Sequence, residues 1–142
     1  MSSVIVRFKG ELGEAIELSI PDLPAGEKFD RWGKAIARIK SNGFNLSNEF
    51  GIEYSDIQHF LGQLIKVRPN KSIDWETMEG DVKLEFKASA LGNIDMLAVF
   101  SSSKSFCRSA TFRMPITIQQ VELAISQLER ILLPKDKNYE GR

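Results

Sequence analysis

The chain holds one histidine, His59, and one cysteine, Cys107, and this sets a low ceiling on its chemistry. A cysteine nucleophile needs a base within hydrogen-bond reach. The two residues are far apart in sequence, so only the fold could pair them. Arg108 beside Cys107 would lower a thiol pKa if the two groups met, but a lone cysteine among strand residues reads as a small core hydrophobe. Zinc needs three or four ligands at workable spacing, and no such set is visible. The segment KGELGE, residues 9–14, has neither the Gly-Lys-Ser/Thr ending of a phosphate loop nor GxGxxG spacing, and reads as a turn. Ser101-Ser102-Ser103-Lys104-Ser105 lacks a GxSxG elbow and reads as a polar hairpin connection.

The densest cluster of functional groups is IDWETMEGD, residues 73–81. It carries Asp74, Glu76, Glu79 and Asp81 with no base between them, and Trp75 and Met78 sit among them. Glu49, Glu53 and Asp56 add acids upstream. One reading is a solvated hairpin edge, with Glu79-Gly80-Asp81 turning the chain and Trp75 entering the core. The other is an acidic surface with an aromatic anchor, the composition of a steered protein interface. On that reading Asp74, Trp75, Glu76, Glu79 and Asp81 are the partner-binding candidates. Two of the acids could also serve glycoside hydrolysis, but a small domain rarely supplies the cleft. The expectation is a non-catalytic protein with no cofactor and no metal.

His59 lies in YSDIQHFLGQLIKVR, residues 54–68. Ser55 with Gln58 forms a capping-box pattern, and Ile57, Phe60, Leu61, Leu64 and Ile65 then fall on one helical face. His59 points about 200° away from Ile57 at 100° per residue, which predicts a solvated or structural histidine. A second helix is predicted by Thr117 with Gln120, by the staple pair Ile116 and Val121, and by the stripe Val121, Ala124, Ile125, Leu128 and Leu132. Pro134 is expected to end it, leaving 135–142 as a flexible tail.

The other segments alternate. Ile16, Leu18 and Ile20 share a strand face until Pro21 opens a Pro/Gly loop through Gly26. Ala35, Ala37 and Ile39 oppose Ile36, Arg38 and Lys40. Asn42-Gly43 predicts a type I′ hairpin into a strand running from Phe44 towards Tyr54. Val82, Leu84, Phe86 and Ala88 alternate with charges as a half-buried strand. Gly92-Asn93 marks a turn, and Ile94 to Phe100 is apolar on both faces, as in a central strand. Ala110, Phe112 and Met114 continue until Pro115, which should stop pairing. Hairpins without βαβ alternation predict an α+β fold: an antiparallel sheet of about six to eight strands, in strands-helix-strands-helix order, with two amphipathic helices packed on one face. Both predicted helices contain Gln-Leu (Gln63-Leu64 and Gln127-Leu128), which raises a duplication as one reading.

At 142 residues, with 42% hydrophobic and 27% charged residues, the chain reads as one soluble domain over 1–134. Lys+Arg and Asp+Glu are both 19, without the basic excess of a nucleic-acid binder. One cysteine permits no intramolecular disulfide. Neither a signal peptide nor a run of ~20 apolar residues is visible, so a cytoplasmic protein without nucleic-acid or membrane partners is expected.

Residues 31–133 carry a resemblance. RWGKAIARIKSNGFNLSNEFGIEYSDIQHFLGQL and TFRMPITIQQVELAISQLERIL are similar to the Trp-led strand, Gly-Phe hairpin, acidic-capped helix and closing strand-helix of the WapI-type bacterial immunity proteins. Gln119 stands where Asp is usual in that family. The resemblance implies a cytoplasmic α+β protein, without catalytic residues, that neutralises a polymorphic toxin by binding it. An acidic face would suit a nuclease toxin, whose nucleic-acid site is basic. The alternative is a small-ligand or peptide-binding module using the open sheet face; a third is an enzyme built on His59, Cys107 or paired acids. A homodimer is compatible with each.

Overall fold

The computed structural model describes residues 3–21, 32–77, 79–102 and 108–140. Most of the predicted 21–26 loop, Met78, Ser103-Lys104-Ser105 and Cys107 lie outside the described residues. Strands β1 (Ser3–Lys9), β2 (Ala15–Pro21), β3 (Trp32–Ser41) and β4 (Phe44–Glu53) form one antiparallel sheet in that order. Helix α1 (Tyr54–Ile65) follows. Strands β5 (Ile73–Glu76), β6 (Val82–Ala88), β7 (Ile94–Ser102) and β8 (Arg108–Ile116) form a second antiparallel sheet, again in chain order, and α2 (Ile118–Glu140) closes the chain.

The fold is therefore α+β, but the single sheet of six to eight strands is corrected to two sheets of four. Alternation tells which face a side chain takes; it does not tell which strands are neighbours. The helix arrangement is corrected with it. The two helices touch each other, α2 lies along β1, and α1 lies along β5 and the end of β4. Each four-stranded half thus sends its helix to the first strand of the other half.

Both helices bury the predicted stripe: Ile57, Phe60 and Leu64 in α1, and Val121, Ala124, Leu128 and Leu132 in α2. Ile65 is an exception at 56% exposed, because α1 ends there and Lys66 caps it. The inner faces of both sheets and both helices form one continuous apolar core. Phe8 of β1 joins the halves, with ring centroids 6.5 Å from Phe60 and 5.4 Å from Phe86.

Several local expectations shift. The α1 cap is Glu53, not Ser55: β4 runs straight into the helix, and Asp56 at the third helical position accepts the Glu53 N–H at 2.9 Å, completing a capping box. The Asn42-Gly43 hairpin forms, but Gly43 alone has positive φ (72°), so it is not the type I′ turn, which needs positive φ at both residues. Pro115 stays in the ladder opposite Asp95. Its missing N–H falls on the outer edge of β8, where no ladder bond is lost. The helical backbone of α2 runs past Pro134 to Glu140; the proline removes one N–H bond, to the carbonyl four residues back, and the rest of the ladder can continue. Strand β1 is the element that the sequence reading did not mark, although Val4, Val6 and Phe8 alternate with Ile5, Arg7 and Lys9.

Candidate partner-binding surface

Residues 73–81 fold as β5 and its turn into β6. Thr77 N–H donates to the Val82 carbonyl and Gly80 N–H to the Thr77 carbonyl. Gly80 takes φ of 78°, which a side chain would strain. This is the hairpin edge that the sequence offered as one reading. Alternation along β5 sends Ile73 and Trp75 inward and leaves Asp74 and Glu76 exposed. Glu79 is exposed at the turn, and Asp81 is half-buried.

Trp75 does not share that surface. It is 1% exposed, its ring stacks on Phe60 with centroids 4.2 Å apart and planes 13° apart, and its Nε1 donates to the Asp56 carbonyl at 3.0 Å. Such a stack adds about 0.5–1.5 kcal/mol beyond area burial. Trp75 is a core residue that pins α1 to β5, so the candidate surface retains the four acids without their aromatic anchor.

The fold adds acids that the linear pattern left apart. Glu85 stands directly opposite Asp74 across the β5–β6 ladder, where two like charges repel. Lys83, opposite Glu76, relieves this with Nζ 3.4 Å from Glu85 Oε2. Glu79 lies over the end of β4: a Cβ built on Gly51 would stand 3.6 Å from its Oε1. Exposed Glu49 and Glu53 on β4 therefore adjoin the 73–81 acids. Asp56 is buried and spent on the helix cap. Register could have found Glu85, since it follows once Val82 and Leu84 face inward.

A second charged cluster was also missed. Glu17, only 4% exposed, lies on the outer face of the first sheet. It accepts Arg7 Nε at 2.6 Å, and Lys40 Nζ stands 3.5 Å away. Burial opposes its charge, yet the Arg7 hydrogen bond and the charges of Arg7 and Lys40 outweigh that and hold its carboxyl below the ordinary 4.5.

His59 is exposed on α1, as its helical phase predicted. Among the described residues no group of three or more His, Cys, Asp or Glu side chains is placed to hold a metal. No helix of the described residues is long and apolar enough to cross a membrane. What the surface can do is attract and orient a cationic partner through carboxylates fixed on a rigid hairpin.

Comparison with known proteins adds three facts. The solved structure of the plant transcriptional regulator PBF-2 is similar, with TM-score 0.58 over 99% of this chain and 89% of that one, at 12% identity; this is a likeness of fold alone. No curated protein sequence matches the chain. Residues 7–134 match the family described as immunity protein WapI-like.

Proposed function

The chain belongs to the WapI-like immunity protein family, and we propose that it protects a bacterial cell by binding a cognate toxin directly in the cytoplasm, without catalysis or a cofactor. The observation that carries this reading is the family match over 7–134. The toxin-facing surface is the acidic hairpin, Asp74, Glu76, Glu79 and Asp81, extended by Glu85, Glu49 and Glu53. Its chemistry suits a toxin whose active groove is basic because its substrate is a polyanion. Occlusion of that groove needs no reaction, only complementary charge and shape.

The test is neutralisation of the toxin domain encoded beside this chain. Co-expression should restore growth, and the purified pair should associate quickly at low salt and more slowly as salt rises. Glu76→Lys with Glu79→Lys should slow association by roughly 10-fold or more at low salt, since rim charges act on the on-rate. Growth arrest that persists despite full expression of the soluble protein would sink the immunity reading. Rescue with unchanged association by the double variant would move the surface elsewhere.

A further inference from the structure

On the outer face of the first sheet, four cations surround one carboxylate. Alternation sends Arg7 and Lys9 of β1, Ala15 and Glu17 of β2, and Arg38 and Lys40 of β3 to that face. Register sets them in two adjacent rows, Lys9–Ala15–Lys40 and Arg7–Glu17–Arg38. The second sheet pairs its outer charges singly, Lys83 with Glu85 and Arg113 with Asp95, both at 3.4 Å. Here Glu17 serves Arg7 and Lys40 together, and among the described residues no carboxylate forms an ion pair with Lys9 or Arg38. Three positive charges are left uncompensated.

The neighbouring elements add no acid to the two rows. On β4, Asn45 stands beside Lys40 and Ser47 beside Arg38. On α2, Glu122 and Glu129 lie about 200° round the helix from Gln120 and Gln127, which face β1. Those glutamines also hold the β1 backbone: Gln127 Oε1 accepts the Arg7 N–H at 3.2 Å, and Gln120 Oε1 accepts the Lys9 N–H at 2.9 Å. Glu17 in turn fixes the heads of Arg7 and Lys40, and cations fixed in advance lose little freedom on capturing a ligand.

The cluster is compact. Strand spacing and rise put the four cationic positions at the corners of a rectangle roughly 10 by 7 Å. Its floor is low, formed by the buried Ala15 and Glu17, while Arg7 and Lys40 keep 39% and 52% of their side-chain surface exposed. On one side the next row is Ile5, Ser19 and Ile36, with Glu49 at its end and Lys34 only beyond it. On the other side the β1–β2 turn carries Glu11 and Glu14, the latter accepting the Leu12 N–H at 2.8 Å. A linear polyanion needs a cationic groove that tracks its backbone, and this one stops after two rows. A single oxyanion needs no more than two rows.

We propose that this face is a binding site for one compact phosphate group, either the free ion or the phosphate end of a small molecule. Arg38 and Lys9, which no carboxylate satisfies, take the phosphate oxygens by charge-assisted hydrogen bonds. Arg7 engages Glu17 through Nε, so its terminal nitrogens and Lys40 close on the ligand from the far corners. The site goes beyond the immunity reading and does not depend on it.

The test titrates orthophosphate, pyrophosphate and methyl phosphate into the full chain at constant ionic strength, with chloride as the balancing anion. Backbone amide shifts at Ala15, Glu17, Arg38 and Lys40 should change saturably, and pyrophosphate, which spans the rectangle, should bind tightest. Methyl phosphate binding more tightly than orthophosphate assigns the site to an esterified phosphate; the reverse order assigns it to the free ion. Arg38→Gln should weaken pyrophosphate roughly 10-fold or more. Lys87→Gln, which removes an exposed cation of the second sheet, should leave it unchanged. The wild-type shift map stands even if Arg38→Gln folds poorly. Shifts that rise without saturating, or that chloride alone reproduces, overturn the proposal, as does equal affinity in a folded Arg38→Gln. Affinity for oligothymidylate that grows with chain length overturns it too, in favour of a polyanion groove. No toxin enters this experiment, so its failure leaves the immunity reading untouched.

Discussion

Trp75→Phe separates the two roles that an aromatic residue inside an acidic segment can have. Phenylalanine keeps a ring on Phe60, so most of the stack at 4.2 Å survives. The substitution deletes the Nε1 hydrogen bond to the Asp56 carbonyl. That carbonyl stands in the first turn of α1 and can still accept from the amide four residues on, so it is not orphaned; the loss is about 1 kcal/mol. Removing one ring of a side chain that is 1% exposed also leaves a void in the core, adding about 1–2 kcal/mol. The sum, about 2–3 kcal/mol, should lower Tm by roughly 6–12 °C for a chain of this size. Urea unfolding followed by far-UV circular dichroism should show a lower midpoint with an unchanged slope. Toxin affinity should stay within a few-fold of wild type. Unchanged stability coupled with lost binding would refute the reasoning, because it would place the indole against the partner.

Other consequences are equally open to measurement. Glu17 carries a lowered folded pKa, so its pairing stabilises the fold above the unfolded value near 4.5, and that contribution disappears as pH falls through the folded value. Glu17→Gln should flatten the acid limb of the stability–pH profile and lower stability at pH 7, as read by denaturation across pH 2–7. Gln120→Ala with Gln127→Ala should cost about 1–3 kcal/mol for two lost hydrogen bonds and speed amide exchange at Arg7 and Lys9, with β2–β4 little changed. Gly43→Ala, which forces a side chain to φ of 72°, should cost about 1–2 kcal/mol without altering the partner surface.

What could be read from the sequence was periodicity. The Ile57-Phe60-Leu64 and Val121-Ala124-Leu128 stripes, the alternation of β6, and the turns at Gly80 and Gly92 all follow from local spacing. Pairing choices do not. Nothing in the alternation of β4 says that the next strand begins a new sheet, because α1 sets that by carrying the chain across to β5. Gln120 shows the same limit from the other side. It reads as the return half of a capping box with Thr117, and the Gln120 N–H is indeed near Thr117 Oγ1 at 3.4 Å. Its side chain instead binds Lys9, 111 positions away. The signal available was the seven-residue spacing of Gln120 and Gln127, which puts both on one helix face beside the apolar stripe. At the candidate site, four acids were visible as a string. Which of them meet Glu49, Glu53 and Glu85 depends on long-range register, and the fate of Trp75 depended on whether an odd or an even residue of β5 faced inward.

The hydrogen bond between Arg7 and Gln127 spans 120 positions, and during synthesis this becomes an interval of time. The edge of β1 leaves the ribosome well before its glutamine covers on α2. At about 5–20 residues per second, the first sheet, complete once Glu53 is made, waits roughly 4–15 s for Gln127 with that edge uncovered. A strand from a neighbouring nascent chain can therefore compete for β1 until α2 docks. Slowing translation of α2 should raise aggregation more than the same delay placed before β2, when no sheet yet exists.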